Sequence, residues 1–243
     1  MKPGNFMIGT LHSEELGMRI QTRPRLVTPR RKTSPVSIPG KSGIVFFDEE
    51  AYENTPLELN IYMKASDFEE AEYKRNRLFR ELDTGGYVPF VHYADSNKVY
   101  YVHLEDMDFS GTRILKGGHI IQVLLSVKPF KLQYRQQEIE ITQPRTIRNP
   151  YLWGSVPIIT VHGTGDGSVV VNGEPFVFKN VTGTLVIDST VEHSYRYLNG
   201  NRINENKKVF TIDYPTFKSG DNTLSFSGGV TKLVIEPRWQ TLI

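Results

Sequence analysis

Residues 223–236, TLSFSGGVTKLVIE, decide the interpretation of the second half of the chain. Apolar and polar residues alternate on both sides of Gly228-Gly229, as in strands that bury one face. A Gly-Gly pair suits a two-residue hairpin turn because both positions tolerate a positive φ. In that register Leu224 lies opposite Leu233, which predicts an antiparallel hairpin with one apolar face.

The same texture extends outward over residues 149–243. Turn signals recur about every ten residues there, a spacing typical of an all-β sandwich. Tight-turn dipeptides fall at Asp166-Gly167, Asn172-Gly173 and Asn199-Gly200. Strands are predicted near 158–162, 168–172, 175–179, 184–188, 193–198, 208–214, 223–227 and 230–236. This strand count favours a jelly-roll sandwich.

The first half of the chain contains one predicted helix, near residues 67–83. Ser66 and Glu69 form a capping-box pattern, and Gly85-Gly86 ends the periodic stretch. Residues 57–63 alternate like a half-buried strand. Further strands are predicted near 88–93, 98–104 and 119–128. We therefore predict an α+β domain with one helix against an antiparallel sheet.

The domain bounds follow from these patterns and from a change of texture between them. Residues 136–157 are polar and are framed by prolines, which predicts a linker. The predicted organisation is an α+β domain over 1–135, a linker over 136–157, and an antiparallel β-sandwich over 158–243. The fold class is thus mainly β.

Charge is segregated in the first domain. Residues 19–41 carry basic residues without an acidic one, and residues 42–63 carry acidic residues without a basic one. Prolines in the basic stretch favour an extended arm or a long β-hairpin. The two blocks are either solvated loops or complementary surfaces on neighbouring subunits. The candidate contacts between subunits are Arg23, Arg25, Arg30, Arg31, Lys32, Asp48, Glu49, Glu50 and Glu53.

Composition points away from several classes of function. The net charge of +2 favours neither nucleic acid nor an anionic membrane, and the absence of cysteine excludes disulfides and thiolate sites. The six histidines lack zinc-ligand spacing, although His92 and His103 could face each other across a hairpin. The Gly-x-Gly-x-Gly run from Gly163 to Gly167 is predicted to be a hairpin turn, because a strand follows it where a dinucleotide loop needs a helix. We expect no catalytic residue, no cofactor and no metal, and we expect neither secretion by the general route nor membrane insertion.

Two other classes of function stay open from the residues. A carbohydrate-binding adhesin would use exposed aromatic and polar side chains of the sandwich. Its candidate residues are Tyr195, Tyr197, Asn199, Tyr214 and Trp239. A hydrolase would need a deep pocket that holds close carboxylates.

An ordered set of short motifs resembles the siphovirus distal tail proteins of phages and prophages of Gram-positive bacteria. The set comprises Gly9, Leu16-Gly17, Pro39 to Gly43, the single helix, Val127 to Phe130, Pro157 to Val161, Gly163 to Asp166, Val171 to Gly173, Ile187-Asp188, Pro215 with Phe217, Gly220 to Asn222 and Pro237 to Trp239. The resemblance covers nearly the whole chain.

The resemblance implies a structural subunit of the tail tip or baseplate. By that resemblance, the first domain forms a homohexameric ring that continues the tail tube, and a galectin-like jelly roll points outward. The implied partners are other copies of the chain, the tail tube protein, a tail-associated spike-like protein and receptor-binding proteins. The implied location is the virion, after assembly in the host cytoplasm.

Overall fold

The structure is a computed structural model that describes residues 1–109 and 118–243. These residues divide into two compact units. Unit 1 comprises Met1–Tyr134 and Leu242–Ile243, and unit 2 comprises Arg135–Thr241.

Unit 1 is an antiparallel sheet with one α-helix. Its elements are β1 (Phe6–Ile8), β2 (Leu11–His12), β3 (Met18–Ile20), β4 (Arg31–Val36), β5 (Val45–Tyr52), β6 (Thr55–Lys64), α1 (Phe68–Leu82), β7 (Val88–His92), β8 (Lys98–Phe109), β9 (Gly118–Val127) and β10 (Phe130–Gln133). The main sheet has the order β2-β1-β7-β8-β9-β6-β3, and β10 also pairs with β8. β4 and β5 form a separate two-stranded sheet.

The main sheet of unit 1 curls around one apolar core. β6 alternates as predicted, and its inward side chains from Leu57 to Met63 are at most 1% exposed. The backbone N–H of Ile20, in the edge strand β3, donates to the C=O of Gly4, just before β1 (2.8 Å). This bond joins the edge strand β3 to the segment before β1, which is the neighbour of β2 at the other end of the order. The last residue of the chain also packs on this core, and its N–H donates to the C=O of Pro129.

The predicted helix is confirmed as α1, but the predicted cap is wrong by one residue. Asp67 is the N-cap, and its carboxylate accepts the N–H of Glu70 (2.8 Å). Glu70, not Glu69, reaches back to the N–H of Ser66 (2.7 Å). The cap therefore consists of Asp67 and Glu70, and the Glu70 carboxylate accepts from the residue before the N-cap, one position earlier than in a standard capping box.

Unit 2 is a second antiparallel sheet. Its strands are β11 (Ile139–Ile141), β12 (Arg145–Asn149), β13 (Ile158–Val171), β14 (Glu174–Asp188), β15 (His193–Leu198), β16 (Asn201–Asn204) and β17 (Gly220–Glu236). β18 (Gln240–Leu242) is not part of this sheet, and its final residue belongs to unit 1. The order is β11-β17-β13-β14-β15-β16, and β12 also pairs with β17. β11 and β12 lie within residues 136–157, the predicted linker, and both pair with β17.

The predicted hairpin at Gly228-Gly229 is also wrong. β17 runs through both glycines, and Leu224 pairs with Val171 while Leu233 pairs with Val161. Both halves of β17 follow the same neighbour, so the glycines bend the strand and do not reverse it. A Cβ on Gly229 would lie 1.7 Å from the carbonyl oxygen of Thr164, which no larger residue could tolerate.

Several predicted strands merge for the same reason. The Asp166-Gly167 turn and the Gly-x-Gly-x-Gly turn are wrong, because both lie inside the bent strand β13. The turns at Asn172-Gly173 and Asn199-Gly200 are confirmed, with positive φ at both residues of each. The strand predicted over 208–214 is wrong. The chain makes a 3-10 turn at Asn206–Lys208 instead, next to a buried Glu205 bonded by Arg196 and Lys208.

The bends fold the sheet of unit 2 around a single core. Ile159 and Val161 from one half of β13 share this core with Val169 and Val171 from the other half. The mainly β class, with one helix in unit 1 and an antiparallel second unit, is confirmed. The jelly-roll and galectin-like detail stays a prediction, as do the predicted domain bounds.

Candidate functional site

The two-stranded sheet β4–β5 is the candidate functional site, and we call residues 31–52 the hairpin arm. Val36 pairs with Val45, Ser34 with Phe47, and Thr33 with Asp48. The register shifts between Arg31 and Thr33, near Glu50, which adopts φ 55. Such a left-handed non-glycine residue is typical of a bulge, which increases the local twist of the arm.

The base of the hairpin arm is held by polar and aromatic contacts. The guanidinium of Arg31 forks onto the carboxylate of Asp48, with Nε 2.7 Å from Oδ1, and Nη1 donates to the hydroxyl of Tyr52 (3.2 Å). The hydrogen bonds from Arg31 lower the pKa of Asp48, and those to Asp48 and Tyr52 raise the pKa of Arg31. The ring of Tyr52 packs edge-on against Phe130 at 5.7 Å, which ties the base to unit 1.

The rest of the hairpin arm packs on neither core. Phe46 is 64% exposed and Phe47 is 57% exposed, and Ile44, Val36 and Ile38 are exposed with them. Adjacent strand residues point to opposite sides, so Phe46 and Phe47 place one large apolar side chain on each face. A two-stranded hairpin by itself is at best marginally stable in water. Exposed apolar faces of this kind are typical of interaction surfaces.

The nine predicted contact residues are all exposed, and the structure brings several of them together within one chain. Arg31 pairs with Asp48, and Glu49 accepts a hydrogen bond from the hydroxyl of Ser34 (2.7 Å). The C=O of Arg30 accepts the N–H of Glu53 (2.8 Å). The basic and acidic blocks are thus largely the two strands of one hairpin. Arg23, Arg25, Lys32 and Glu50 are exposed around it. Their contact with a neighbouring copy stays a prediction.

Sequence reasoning missed the apolar residues of the hairpin arm. The charges drew attention to the arm, whereas Ile44, Phe46 and Phe47 were not chosen as candidates. A usable signal exists: a run of consecutive apolar residues in a short strand loads both faces. In a strand that pairs with a single partner, such a pattern leaves apolar side chains exposed.

His92 is the clearest perturbed group outside the arm. Its ring lies between Phe90 at 5.5 Å and Tyr100 at 5.2 Å, and neither ring nitrogen has a hydrogen-bond partner. Burial, which disfavours the imidazolium, lowers its pKa to about 4. His92 and His103 do not face each other as proposed, because β7 and β8 pair Phe90 with Tyr100 and His103 contacts Tyr87.

The adhesin residues are mostly part of the fold. Trp239 is 8% exposed and packs against Phe217, and Tyr195 is 7% exposed beneath the guanidinium of Arg202. Tyr214 packs on Phe176, and its hydroxyl bonds with Ser194. Tyr197 and Asn199 remain exposed. Two side chains at one hairpin end provide little of the stacked surface that a sugar site needs.

Within residues 1–109 and 118–243, no group of three or more His, Cys, Asp or Glu side chains is placed to hold a metal ion. No helix in the same ranges has the length and apolarity to cross a membrane.

The geometry defines a class of protein: two β-rich units, one with a single helix and a protruding apolar hairpin, the other a sheet bent on itself. Solved structures share this architecture. The Dit protein of phage SPP1, described as a paradigm of hub adsorption apparatus in phages that infect Gram-positive bacteria, matches with a TM-score of 0.69 at 17% identity over 98% of this chain and 99% of that chain.

Chains of the phage p2 baseplate in its activated conformation match as well. With strontium the TM-score is 0.61 at 10% identity, and with calcium it is 0.60 at 11% identity. The strontium structure matches over 96% of this chain and 97% of its own chain, and the calcium structure over 95% and 96%. No family model and no curated protein matches the sequence. The resemblance to distal tail proteins is thus confirmed in the fold.

Proposed function

We propose that this chain is a structural, non-enzymatic subunit of a phage tail tip that joins copies of itself into a ring. The hairpin arm of each copy lies against the next copy. The observation that carries the proposal is the arm, whose two faces expose Phe46 and Phe47 while its base is anchored in unit 1. Its residues contact neither core of their own chain, which leaves them for a neighbour.

The geometry fits a heterologous contact. One patch, the arm, meets a different patch on the next copy, and such contacts close into rings when the rotation permits. The likeness to hub and baseplate chains supports this role and the location in a virion. Six copies, the tail tube protein, a spike-like protein and receptor-binding proteins complete the proposed assembly, which forms in the host cytoplasm.

A double substitution in the arm tests the proposal. Phe46→Ser with Phe47→Ser removes the apolar faces but keeps the Arg31–Asp48 fork, so the monomer should stay folded and the ring should dissociate in light scattering. Phe210→Ser is the matched control, because Phe210 is 60% exposed and lies in unit 2. Loss of the ring in the control alone, or rings in both variants, would refute the role of the arm.

The adhesin alternative makes a separate prediction for the full chain. The adhesin role requires that the parent chain binds saccharides on a glycan array and that Tyr197→Ala does not. The structural role predicts that neither chain binds a saccharide. Hydrolysis of a phage-relevant polymer by the folded chain would contradict the non-enzymatic role.

A further inference from the structure

The outer edge of unit 2 differs from the other sheet edges of that unit. β16 ends the strand order and pairs with β15. Edge strands usually carry charges that prevent pairing with other chains. The exposed positions of β12 follow this rule with Arg145 and Arg148, and Glu140 of β11 pairs with Lys232. The β15–β16 hairpin has one exposed charge on its edge strand, Arg202, but it also exposes Tyr197, Leu198 and Ile203, with Val191 next to it.

The backbone of β16 presents unused hydrogen-bonding groups. Leu198 and Asn201 flank the two-residue turn at Asn199-Gly200, so they form the bonded pair that closes such a hairpin. Bonded and non-bonded pairs alternate along an antiparallel ladder, so Arg202 and Asn204 occupy non-bonded positions. Their N–H and C=O groups point away from β15, toward the side where no described strand lies.

The side chains beside this edge form a depression and include a cation, Arg202. A depression of about 460 Å³ lies along the hairpin, lined by Val191, His193, Ser194, Tyr195, Arg202 and Asn204. The guanidinium of Arg202 lies 3.7 Å from the centre of the Tyr195 ring, and none of the ion pairs of the described residues involves it. A carboxylate on an added strand would be attracted to this cation.

We propose that β16 is a docking edge that accepts one extended, apolar and acidic strand from a different tail protein. The added strand pairs with the backbone of Arg202 and Asn204, covers Ile203 and Leu198, and places a carboxylate near Arg202. Strand addition of this kind takes its affinity from main-chain hydrogen bonds and its specificity from alternate side chains. The inference rests on the proposed function, which supplies other tail proteins as partners, but it concerns unit 2 and not the ring contact.

Peptide binding to the full chain tests the docking edge. The probe is a synthetic peptide of alternating valine and glutamate, and the control is the same peptide N-methylated at every residue, which can donate no main-chain N–H to the ladder. We expect the first peptide alone to slow hydrogen exchange at the amides of Arg202 and Asn204. Equal binding of both peptides, protection confined to β11 or β12, or no binding up to millimolar peptide would overturn the proposal.

Two substitutions of Arg202 separate the contribution of its backbone N–H to peptide binding from the contribution of its charge. Arg202→Ala keeps the outward N–H and should weaken binding several-fold, whereas Arg202→Pro removes that N–H without breaking a bond to β15 and should abolish binding. Arg148→Glu on β12 is the matched control and should bind as the parent chain does. If Arg202→Pro fails to fold, a peptide with lysine in place of glutamate provides a second test. The parent should bind this peptide more weakly than Arg202→Ala does, because Arg202 repels lysine. Equal affinities of the two chains would refute the charge requirement.

Light scattering on the same samples keeps the two proposals apart. The Arg202 variants should form rings as the parent does. A variant that loses the ring but still binds the peptide would argue against the ring contact of the hairpin arm and not against the docking edge. Protection of Arg202 and Asn204 that rises with the concentration of the chain alone would identify a second copy as the occupant, and would overturn the proposed partner.

Discussion

The β6–β9 ladder and the hairpin arm are both antiparallel strand pairs in unit 1, yet their apolar residues have opposite fates. In β6 every second residue is apolar and the inward row is buried. In β5 the residues Val45, Phe46 and Phe47 follow one another, and the two phenylalanines are exposed. Alternating apolar residues lie on one face of a strand and form a core. A run of consecutive apolar residues places side chains on both faces, and in the hairpin arm no other part of the described chain buries them. The first pattern therefore carries stability, and the second carries the assembly that we propose.

The largest expected effect concerns the bend in unit 2, which has no counterpart in either strand pair. Gly229→Ala should destabilise the chain by on the order of 4 kcal/mol or more, because the new Cβ would overlap the carbonyl oxygen of Thr164. Gly86→Ala is the control, since nothing lies within 4 Å of its added Cβ and its φ is not positive. Chemical denaturation of both variants makes the comparison. Similar unfolding midpoints would show that the bend is not tightly packed.

This bend also marks the limit of what the sequence predicted. Alternation correctly located β6, most of β8 and β9, and many segments of unit 2, because period-two burial is a local property. It could not tell that Gly228-Gly229 joins two halves of one strand. A glycine pair permits a reversal and a bend equally well, and only the carbonyl of Thr164, far away in sequence, decides between them.

The candidate site was half predictable for a similar reason. Charge segregation is visible in the sequence and located the hairpin arm. Whether Phe46 and Phe47 are covered depends on whether another layer packs on β5, and that is a property of the whole unit. The cap of α1 shows a smaller version of this limit, because Ser66 with Glu69 and Asp67 with Glu70 are equivalent patterns one residue apart.

The second effect tests the comparison itself. Leu59→Ala removes a side chain that is 1% exposed, and should lower the free energy of unfolding by about 2–5 kcal/mol. Phe47→Ala should change it by no more than about 0.5 kcal/mol under conditions where the chain is monomeric. Light scattering should reverse the ranking, with ring loss in Phe47→Ala. A large loss of monomer stability in Phe47→Ala would mean that the hairpin arm packs on its own unit.

The third effect is a pH dependence within the core of unit 1. The pKa of His92 is about 4 in the folded chain, below its ordinary value of 6.5, so between these values the unfolded chain binds more protons. The contribution of neutral His92 to the free energy of unfolding is fully present above pH 6.5. It falls as the pH drops toward 4, by roughly 3 kcal/mol in total. His92→Phe, among aromatic neighbours, should remove this slope in denaturation midpoints measured from pH 7 to 4. Parallel pH profiles of the parent and the variant would contradict the burial of a neutral imidazole.

The smallest effect sharpens the assignment of the helix cap. Asp67→Ala should cost about 1 kcal/mol, since the N–H of Glu70 loses its acceptor. Glu69→Ala, which removes the residue of the sequence-based capping box, should cost only a few tenths of that amount. Thermal unfolding of the two variants decides between the two registers. A larger loss in Glu69→Ala would restore the pattern first inferred from the sequence.

The central claim is that the hairpin arm is covered by a neighbouring copy. Electron microscopy of the purified chain at concentrations that favour assembly tests it most directly. We predict closed rings of about six times the 27.8 kDa chain mass, with β4–β5 lying against the next copy. Rings in which β4–β5 project into solvent, or a chain that stays monomeric at every concentration, would contradict the account.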